Sequence, residues 1–361
     1  MLMFIARRVG VMALTALVLT FVVFYLTNLP PNLEKLARSE GSVRMTDEAV
    51  NQWVIDNGHG GSVFYRYSEW LGLVPGWTRI DDKGDLRGLC IRQGVDPATA
   101  PHYCGVLQGN WGFSTVFKHP VTEVLGNGMA ATGWLMLWVM IVMVPCSLVM
   151  GVFAGMREGS RTDRVLSTFA IASTATPEYV SGVILVAFLA SATVGISPVL
   201  ADWGWLSGRT LFFGTATSAM DKITFWNFAL PVITIALYGV GYIARMTRAS
   251  MTEVMTQQYI RTARLKGVPF RDVVLRHALR NALIAPFTVI MLQFPWLLNG
   301  VVITETLFNY KGFGWTLVSA AGNNDIDLLL GCSVVAVFVV LVTQLISDIG
   351  YVFLNPRIRL A

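Results

Sequence analysis

The sequence predicts an all-α polytopic membrane protein with six transmembrane helices and cytoplasmic N- and C-termini. Three observations lead to this fold class: the composition, the spacing of charge-free stretches, and the distribution of lysine and arginine. Of the 361 residues, 54% are hydrophobic and only 14% are charged, and the mean hydropathy is +0.57. Because soluble domains carry about 25% charged residues, this composition excludes a soluble enzyme. It also excludes a disordered chain, since too few residues are polar.

Charge-free intervals locate the membrane segments. A spanning helix needs about 20 predominantly apolar residues, and a charge at its centre is costly. Six predominantly apolar intervals contain at least 20 residues without Asp, Glu, Lys or Arg: Val9–Leu33, Val124–Met156, Tyr179–Ala201, Ile223–Ala244, Asn281–Thr304 and Leu328–Ser347. We therefore predict spanning helices at 9–28, 130–154, 167–190, 226–246, 284–304 and 329–353.

The basic residues set the orientation, because lysine and arginine accumulate in cytoplasmic loops. With the N-terminus inside, 15 of the 27 lysines and arginines lie in inner segments and three in the two short outer loops. The other nine lie in residues 29–128, a segment too long for this rule. The net charge of +5 does not indicate a nucleic-acid partner, because the basic residues are separated by apolar segments rather than gathered in one patch.

The first apolar stretch follows Arg7 and Arg8, an arrangement that a signal peptide also has. The stretch is longer than a signal peptide needs, and Asn28-Leu29-Pro30-Pro31 is not a small-residue cleavage site. We therefore interpret it as an uncleaved first helix.

Residues 29–128 differ in composition from the rest and predict a small extracytoplasmic insertion. Half of the acidic residues lie here, together with Cys90 and Cys104. In an oxidising compartment these two cysteines can form a disulfide. Two free thiols are an alternative, and a zinc site using Cys90, His102 and Cys104 is another, although structural zinc sites usually have four ligands. The favoured interpretation is the disulfide, with no metal.

The inner loop between the fourth and fifth spans, residues 247–281, is longer than a simple connection requires. Met251–Leu265 lacks Gly and Pro and predicts a helix, which Gly267 and Pro269 then end. Phe270–Leu283 predicts a second helix that leads into the membrane. A loop with this much helix is suited to docking a partner.

Several catalytic motifs are absent from the sequence. None of the six lysines precedes Ser or Thr, so a phosphate-binding P-loop is missing. The sequence also lacks His-Glu-x-x-His and Gly-x-Ser-x-Gly. We predict no catalytic residues, and any ATP-driven transport would require another subunit.

Six motifs occur in order along the chain. Two lie in the inner loop, at 259–267 (YIRTARLKG) and 275–284 (LRHALRNALI), and the others are Arg7-Arg8, 109–114 (GNWGFS), 305–314 (ETLFNYKGFG) and 355–358 (NPRI). This ordered set resembles the permease subunits of ABC importers of the dipeptide/oligopeptide/nickel family, with the main resemblance in the inner loop. Arg261-Thr262-Ala263 replaces the Glu-Ala-Ala of the broader ABC-importer signature, as is common in the peptide branch.

The resemblance implies a type I ABC-importer permease fold and a bacterial inner-membrane location. Residues 1–28 would form the first transmembrane helix, 29–128 the extracytoplasmic segment, and 129–361 a five-helix core. The implied partners are a second homologous permease subunit, two ATPase subunits, an extracytoplasmic solute-binding protein and the lipid bilayer. This chain would hold no cofactor, since ATP and Mg would bind to the ATPase subunits.

The resemblance also implies a coupling helix around Thr256–Gly267 that fits a groove on an ATPase subunit. From the loop alone, a basic amphipathic helix lying on anionic lipid is an alternative. The residues assigned to ATPase coupling are Gln257, Gln258, Tyr259, Arg261, Thr262, Ala263, Arg264, Lys266 and Gly267.

Polar residues within the predicted spans are candidates for the translocation path. They are Glu178, Gln293 and Asn299. Glu178 could instead begin a helix, with Thr176 as the N-cap, Pro177 at the first position and the acid near the positive end of the helix dipole. The two amides could pack between helices. A possible outer gate comprises Glu305, Asn309, Gly312 and Gly314, with Glu305 expected to fix the outer loop.

The predicted function is therefore a permease subunit of an ATP-driven, binding-protein-dependent importer for peptides or related small solutes. Nickel chelates, oligosaccharides and opines remain alternative substrates. An ion-coupled secondary transporter is the alternative from another class, although the sequence shows no internal repeat of the kind such transporters often contain.

Overall fold

The computed structural model describes residues 2–80, 86–91, 100–206 and 208–354, without the side chains of 2–5, 294–300 and 351–354. Its long helices are α1 (Leu2–Thr27), α5 (Val121–Gly155), α9 (Phe225–Met255), α13 (Ile284–Leu307) and α15 (Ile326–Leu354). The shorter helices are α2 (Pro30–Glu40), α3 (Asp47–Asp56), α4 (Val63–Leu71), α6 (Arg161–Ala175), α7 (Glu178–Leu189), α8 (Ile196–Asp202), α10 (Gln258–Leu265), α11 (Phe270–Asp272), α12 (Leu279–Ala282) and α14 (Phe313–Gly322). A π-helical segment, Val273–Ala278, joins α11 to α12, and 3₁₀ turns occupy Val106–Gln108 and Thr217–Met220.

The structure is mostly helical but not all-α, because Thr78–Ile80 (β1) and Leu86–Gly88 (β2) form an antiparallel pair. Among the described residues, four helices are long and apolar enough to cross a membrane: Ala6–Thr27, Val121–Gly155, Phe225–Met255 and Ile326–Gly350. Two bent helix pairs could each form one further span.

The predicted third span, 167–190, is not one straight helix. The helix axis bends by 109° between α6 and α7. Pro177 disfavours helical geometry at the residue before it, and Thr176 is accordingly extended, with φ −89° and ψ 124°. Thr176 does not cap α7 as the sequence suggested; its hydroxyl donates to the Ala172 carbonyl of α6.

The second bend, of 49°, separates residues 270–282 from α13. Pro286 has no N–H, and its ring would clash with the carbonyl of Ala282 in a continuous helix. The predicted helix over 270–283 is therefore present as α11, the π segment and α12, and it ends before Pro286. The predicted helix over 251–265 is also divided, because α9 ends at Met255 and α10 begins at Gln258.

The chain forms two compact units: Met1–Asn127 with Thr316–Val339, and Gly128–Trp315 with Val340–Ala361. In the second unit α9 is the central helix. The apolar window of α9 is 78% buried, compared with 6% for α1 and 28% for both α5 and α15. Gly151 and Gly155 of α5 allow close packing, since a Cβ on either would lie 2.6 Å from a carbonyl oxygen of α9.

The first unit has its own apolar cluster, formed by Phe24, Leu33, Leu36, Tyr67, Ile326 and Leu330. Cys90 and Cys104 are joined by a disulfide. The segment 109–114, which resembles the family pattern, contacts residues 325–327 here, because the Ser114 hydroxyl donates to Asp325 at 2.6 Å and the Phe113 N–H donates to Asp327 at 3.2 Å.

His59 gives the first unit a predicted pH dependence. The imidazole stacks on Trp53, and burial, reinforced by the nearby Arg66 cation, lowers the pKa of His59 to about 4. The unfolded chain therefore takes up this proton near pH 6.5, whereas the folded chain does so only near pH 4. We expect stability to fall as pH decreases through this window, and His59→Phe to flatten that part of a thermal-unfolding profile. An unchanged profile in the variant would contradict this prediction.

Candidate functional site

The helix α10 has a basic exposed face and a small apolar face that is buried against the rest of the chain. Ile260 and Ala263, three residues apart and therefore on one helical face, are buried in a cluster with Met251, Val273 and Val274. The remaining α10 residues are exposed: Gln258, Tyr259, Arg261, Thr262, Arg264 and Leu265.

The chain geometry at both ends fixes the length of α10. Gln257 precedes it in extended conformation, with φ −66° and ψ 149°. At the other end Gly267 has φ +74°, its N–H donates to the Arg264 carbonyl, and the Val268 N–H donates to the Ala263 carbonyl. This pair of bonds is the Schellman arrangement that ends a helix.

The exposed face of α10 and the residue after it combine positive charge with an exposed apolar side chain. Arg261, Arg264 and Lys266 supply positive charge, and 81% of Leu265 is accessible to solvent. Two contacts hold the neighbouring segment: Asn281 donates to the Tyr259 hydroxyl at 2.9 Å, and the Arg264 guanidinium lies over the Phe270 ring. Of the nine predicted coupling residues, Ala263 faces the core and the other eight are exposed.

An ion pair between α6 and α9 was not predicted from the sequence. Asp163, in the first turn of α6, is only 3% exposed and receives two hydrogen bonds from Arg248 of α9. It also accepts from the Gly159 N–H and the Ser167 hydroxyl. The pair joins the start of α6 to the end of α9, and the 85-residue separation gave no local signal.

Glu305, near the end of α13, is fully buried at the centre of a polar network. Its carboxylate accepts from the Thr132 hydroxyl of α5 and from the Trp315 N–H. The Thr132 hydroxyl in turn accepts from the Phe313 N–H at 2.8 Å. Glu305 therefore links the first turn of α14 to α5.

The other predicted gate residues surround this carboxylate or the adjacent turn. Gly312 lies against Glu305, and a Cβ on Gly314 would lie 2.6 Å from the Val302 Cα. Asn309 adopts φ +49° and exchanges hydrogen bonds with Thr217. The structure thus places all four predicted gate residues at or beside the connection between α13 and α14.

The three path candidates are not brought together in the same way. Glu178 is the first residue of α7, and its Oε2 is buried without a hydrogen-bond partner among the described residues. The Nε2 of Gln293, on α13, is likewise buried and unpartnered there. The side chain of Asn299 and the predicted motif at 355–358 lie outside the described residues.

Gly267 provides a direct test of the α10 terminus. A Cβ at this position meets nothing within 4 Å, so only the left-handed backbone opposes substitution. We expect Gly267→Val to misplace the end of α10 at a cost of about 1–2 kcal/mol, whereas Gly267→Asn, which tolerates this conformation, should preserve it. If α10 docks on an ATPase subunit, as the resemblance implies, ATP-dependent transport should be lost in the first variant only; equal activity in both would contradict the prediction.

These features define a polytopic helical membrane protein with an exposed, basic helix on one loop. Residues 147–360 match the model of the family described as binding-protein-dependent transport system inner membrane component. The chain belongs to this family, whose members are membrane permease subunits of ABC transporters.

Relatives with assigned transport roles are similar over most of the chain. A probable peptide ABC transporter permease from Sinorhizobium fredii is 34% identical, over 70% of this chain and 77% of the relative. A di/tripeptide transport permease from Pseudomonas aeruginosa is 34% identical, over 80% and 88%. A glutathione transport permease from Salmonella choleraesuis is 32% identical, over 70% and 76%.

Proposed function

We propose that this chain is one of two permease subunits of an ATP-driven importer that takes up short peptides delivered by a solute-binding protein. Short peptides are favoured as substrates because the similar permeases are named for peptides, di- and tripeptides, and glutathione. Each subunit would contribute part of the path, with the termini and α10 in the cytoplasm of a bacterial inner membrane.

The observation that carries this proposal is the division of α10 into two faces. Ile260 and Ala263 attach the helix to its own chain, which leaves a basic face exposed within the family-matched region. A force applied to that face by an ATPase subunit would pass through the buried side chains of Ile260 and Ala263 to the end of α9 and the π segment. The energy for transport would then come from ATP bound with Mg in that partner.

Charge reversal tests this proposal. We expect Arg261→Glu together with Arg264→Glu to abolish co-purification of the ATPase subunits and ATP-dependent peptide uptake in proteoliposomes. Arg209→Glu, a reversal on an exposed residue of the loop between α8 and α9, serves as the matched control and should retain both. ATP-independent, ion-driven uptake by the unmodified chain would overturn the proposal in favour of a secondary transporter.

A further inference from the structure

A groove in the second unit combines apolar walls with two arginines at one end. Its volume is about 520 Å³. The apolar walls come from α5 and from the segment preceding α13, and comprise Leu148, Val149, Val152, Phe153, Leu275 and Leu279. Arg157 and Arg271 lie at the end where the chain leaves the apolar part of α5. We call this feature the arginine groove.

The two arginines in the groove carry uncompensated charge. The Arg157 guanidinium lies 5.5 Å from the centre of the Phe270 ring, which holds the side chain at the groove end by a cation–π contact. Among the described residues, no carboxylate forms an ion pair with Arg157 or Arg271. By contrast, Arg276 on the adjacent π segment is paired with Asp272.

The walls are open to the surroundings along their length. Val149, Phe153 and Leu275 are each about half exposed. A ligand for this groove must therefore be apolar over most of its length and anionic at one end. An acidic protein surface would match the arginines but would leave these walls uncovered.

We propose that the arginine groove binds an anionic phospholipid, with the phosphate between Arg157 and Arg271 and an acyl chain against the apolar walls. Basic pockets at the cytoplasmic side of transmembrane helices are suited to anionic headgroups, and each arginine near the surface contributes about fivefold in binding. The site is a property of this chain alone and does not require an ATPase subunit to be bound.

The test uses the purified full-length chain in detergent, with lipid binding measured by native mass spectrometry. The probes are dioleoylphosphatidylglycerol and dioleoylphosphatidylcholine at equal concentration. We expect preferential binding of phosphatidylglycerol, and a loss of about 25-fold in Arg157→Gln/Arg271→Gln. Arg276→Gln, the matched control outside the groove lining, should bind as the unmodified chain does.

A second variant tests the apolar part of the site without changing charge. Val149→Trp places a bulky side chain in the groove at an exposed position, so the fold should be retained, and phosphatidylglycerol binding should fall. Equal binding of both lipids, equal losses in the arginine pair and Arg276 variants, or full binding by Val149→Trp would each overturn the proposal. Failure here would leave the ATPase co-purification result unaffected, so the two proposals are tested separately.

Discussion

Replacing Arg248 by methionine should destabilise the folded chain by about 3 kcal/mol, since breaking a buried ion pair leaves one charge uncompensated. Asp163 is 3% exposed, and the Arg248 guanidinium supplies two of its hydrogen bonds. Methionine preserves much of the apolar stem of arginine, so the effect reports mainly the lost charge. The measurement is thermal or denaturant unfolding of the purified chain.

Arg245→Met is the matched control for this change. Arg245 lies one turn earlier on α9, is exposed, and makes no ion pair among the described side chains. We expect a change within about 0.5 kcal/mol there. If Arg248→Met were as mild as this control, the pair would not hold the start of α6 against α9.

Gly312→Ala, in the connection between α13 and α14, should lower the free energy of unfolding by a similar amount. The added methyl group would overlap the Glu305 carboxylate, which must then move away from the Trp315 N–H and the Thr132 hydroxyl. A buried acceptor separated from its donors costs about 3 kcal/mol. We therefore expect a lower unfolding temperature and reduced peptide uptake.

Gly133→Ala provides the comparison for Gly312→Ala. Gly133 is the neighbour of Thr132, and a Cβ on it meets nothing within 4 Å. Because alanine favours helix over glycine by about 1 kcal/mol, this variant should be neutral or slightly more stable. Equal behaviour of the two alanine variants would show that Glu305 does not depend on the space beside Gly312.

The length and apolar character of charge-free intervals were sufficient to predict α1, α5, α9 and α15, because a helix that crosses the hydrocarbon needs about 20 predominantly apolar residues. They were insufficient for α6 and α7. We predicted one span over 167–190 although Glu178 lies within it, and the proline at 177 was the local signal for the bend. The sequence also placed the α10 terminus near Gly267, since glycine has a specific backbone role there.

The polar contacts within the second unit could not be predicted in the same way. Asp163 and Arg248 are 85 residues apart, and Thr132 and Glu305 are 173 apart. Such pairs depend on how helices pack, which local propensity does not encode. The motif resemblance selected Glu305, Gly312 and Gly314 as a group, but it gave no indication that the carboxylate and the glycine are in contact.

The length of α9 determines how far α10 stands from the hydrocarbon. Phe225 and Trp226 at its start are exposed aromatic residues of the kind that mark a membrane–water boundary. From there 31 helical residues extend about 46 Å, roughly 15 Å more than the apolar thickness of a bilayer. In the proposed orientation, the last turns of α9 would therefore lie among the lipid headgroups and α10 would lie in water beyond them, where a large globular protein could reach it without deforming the membrane.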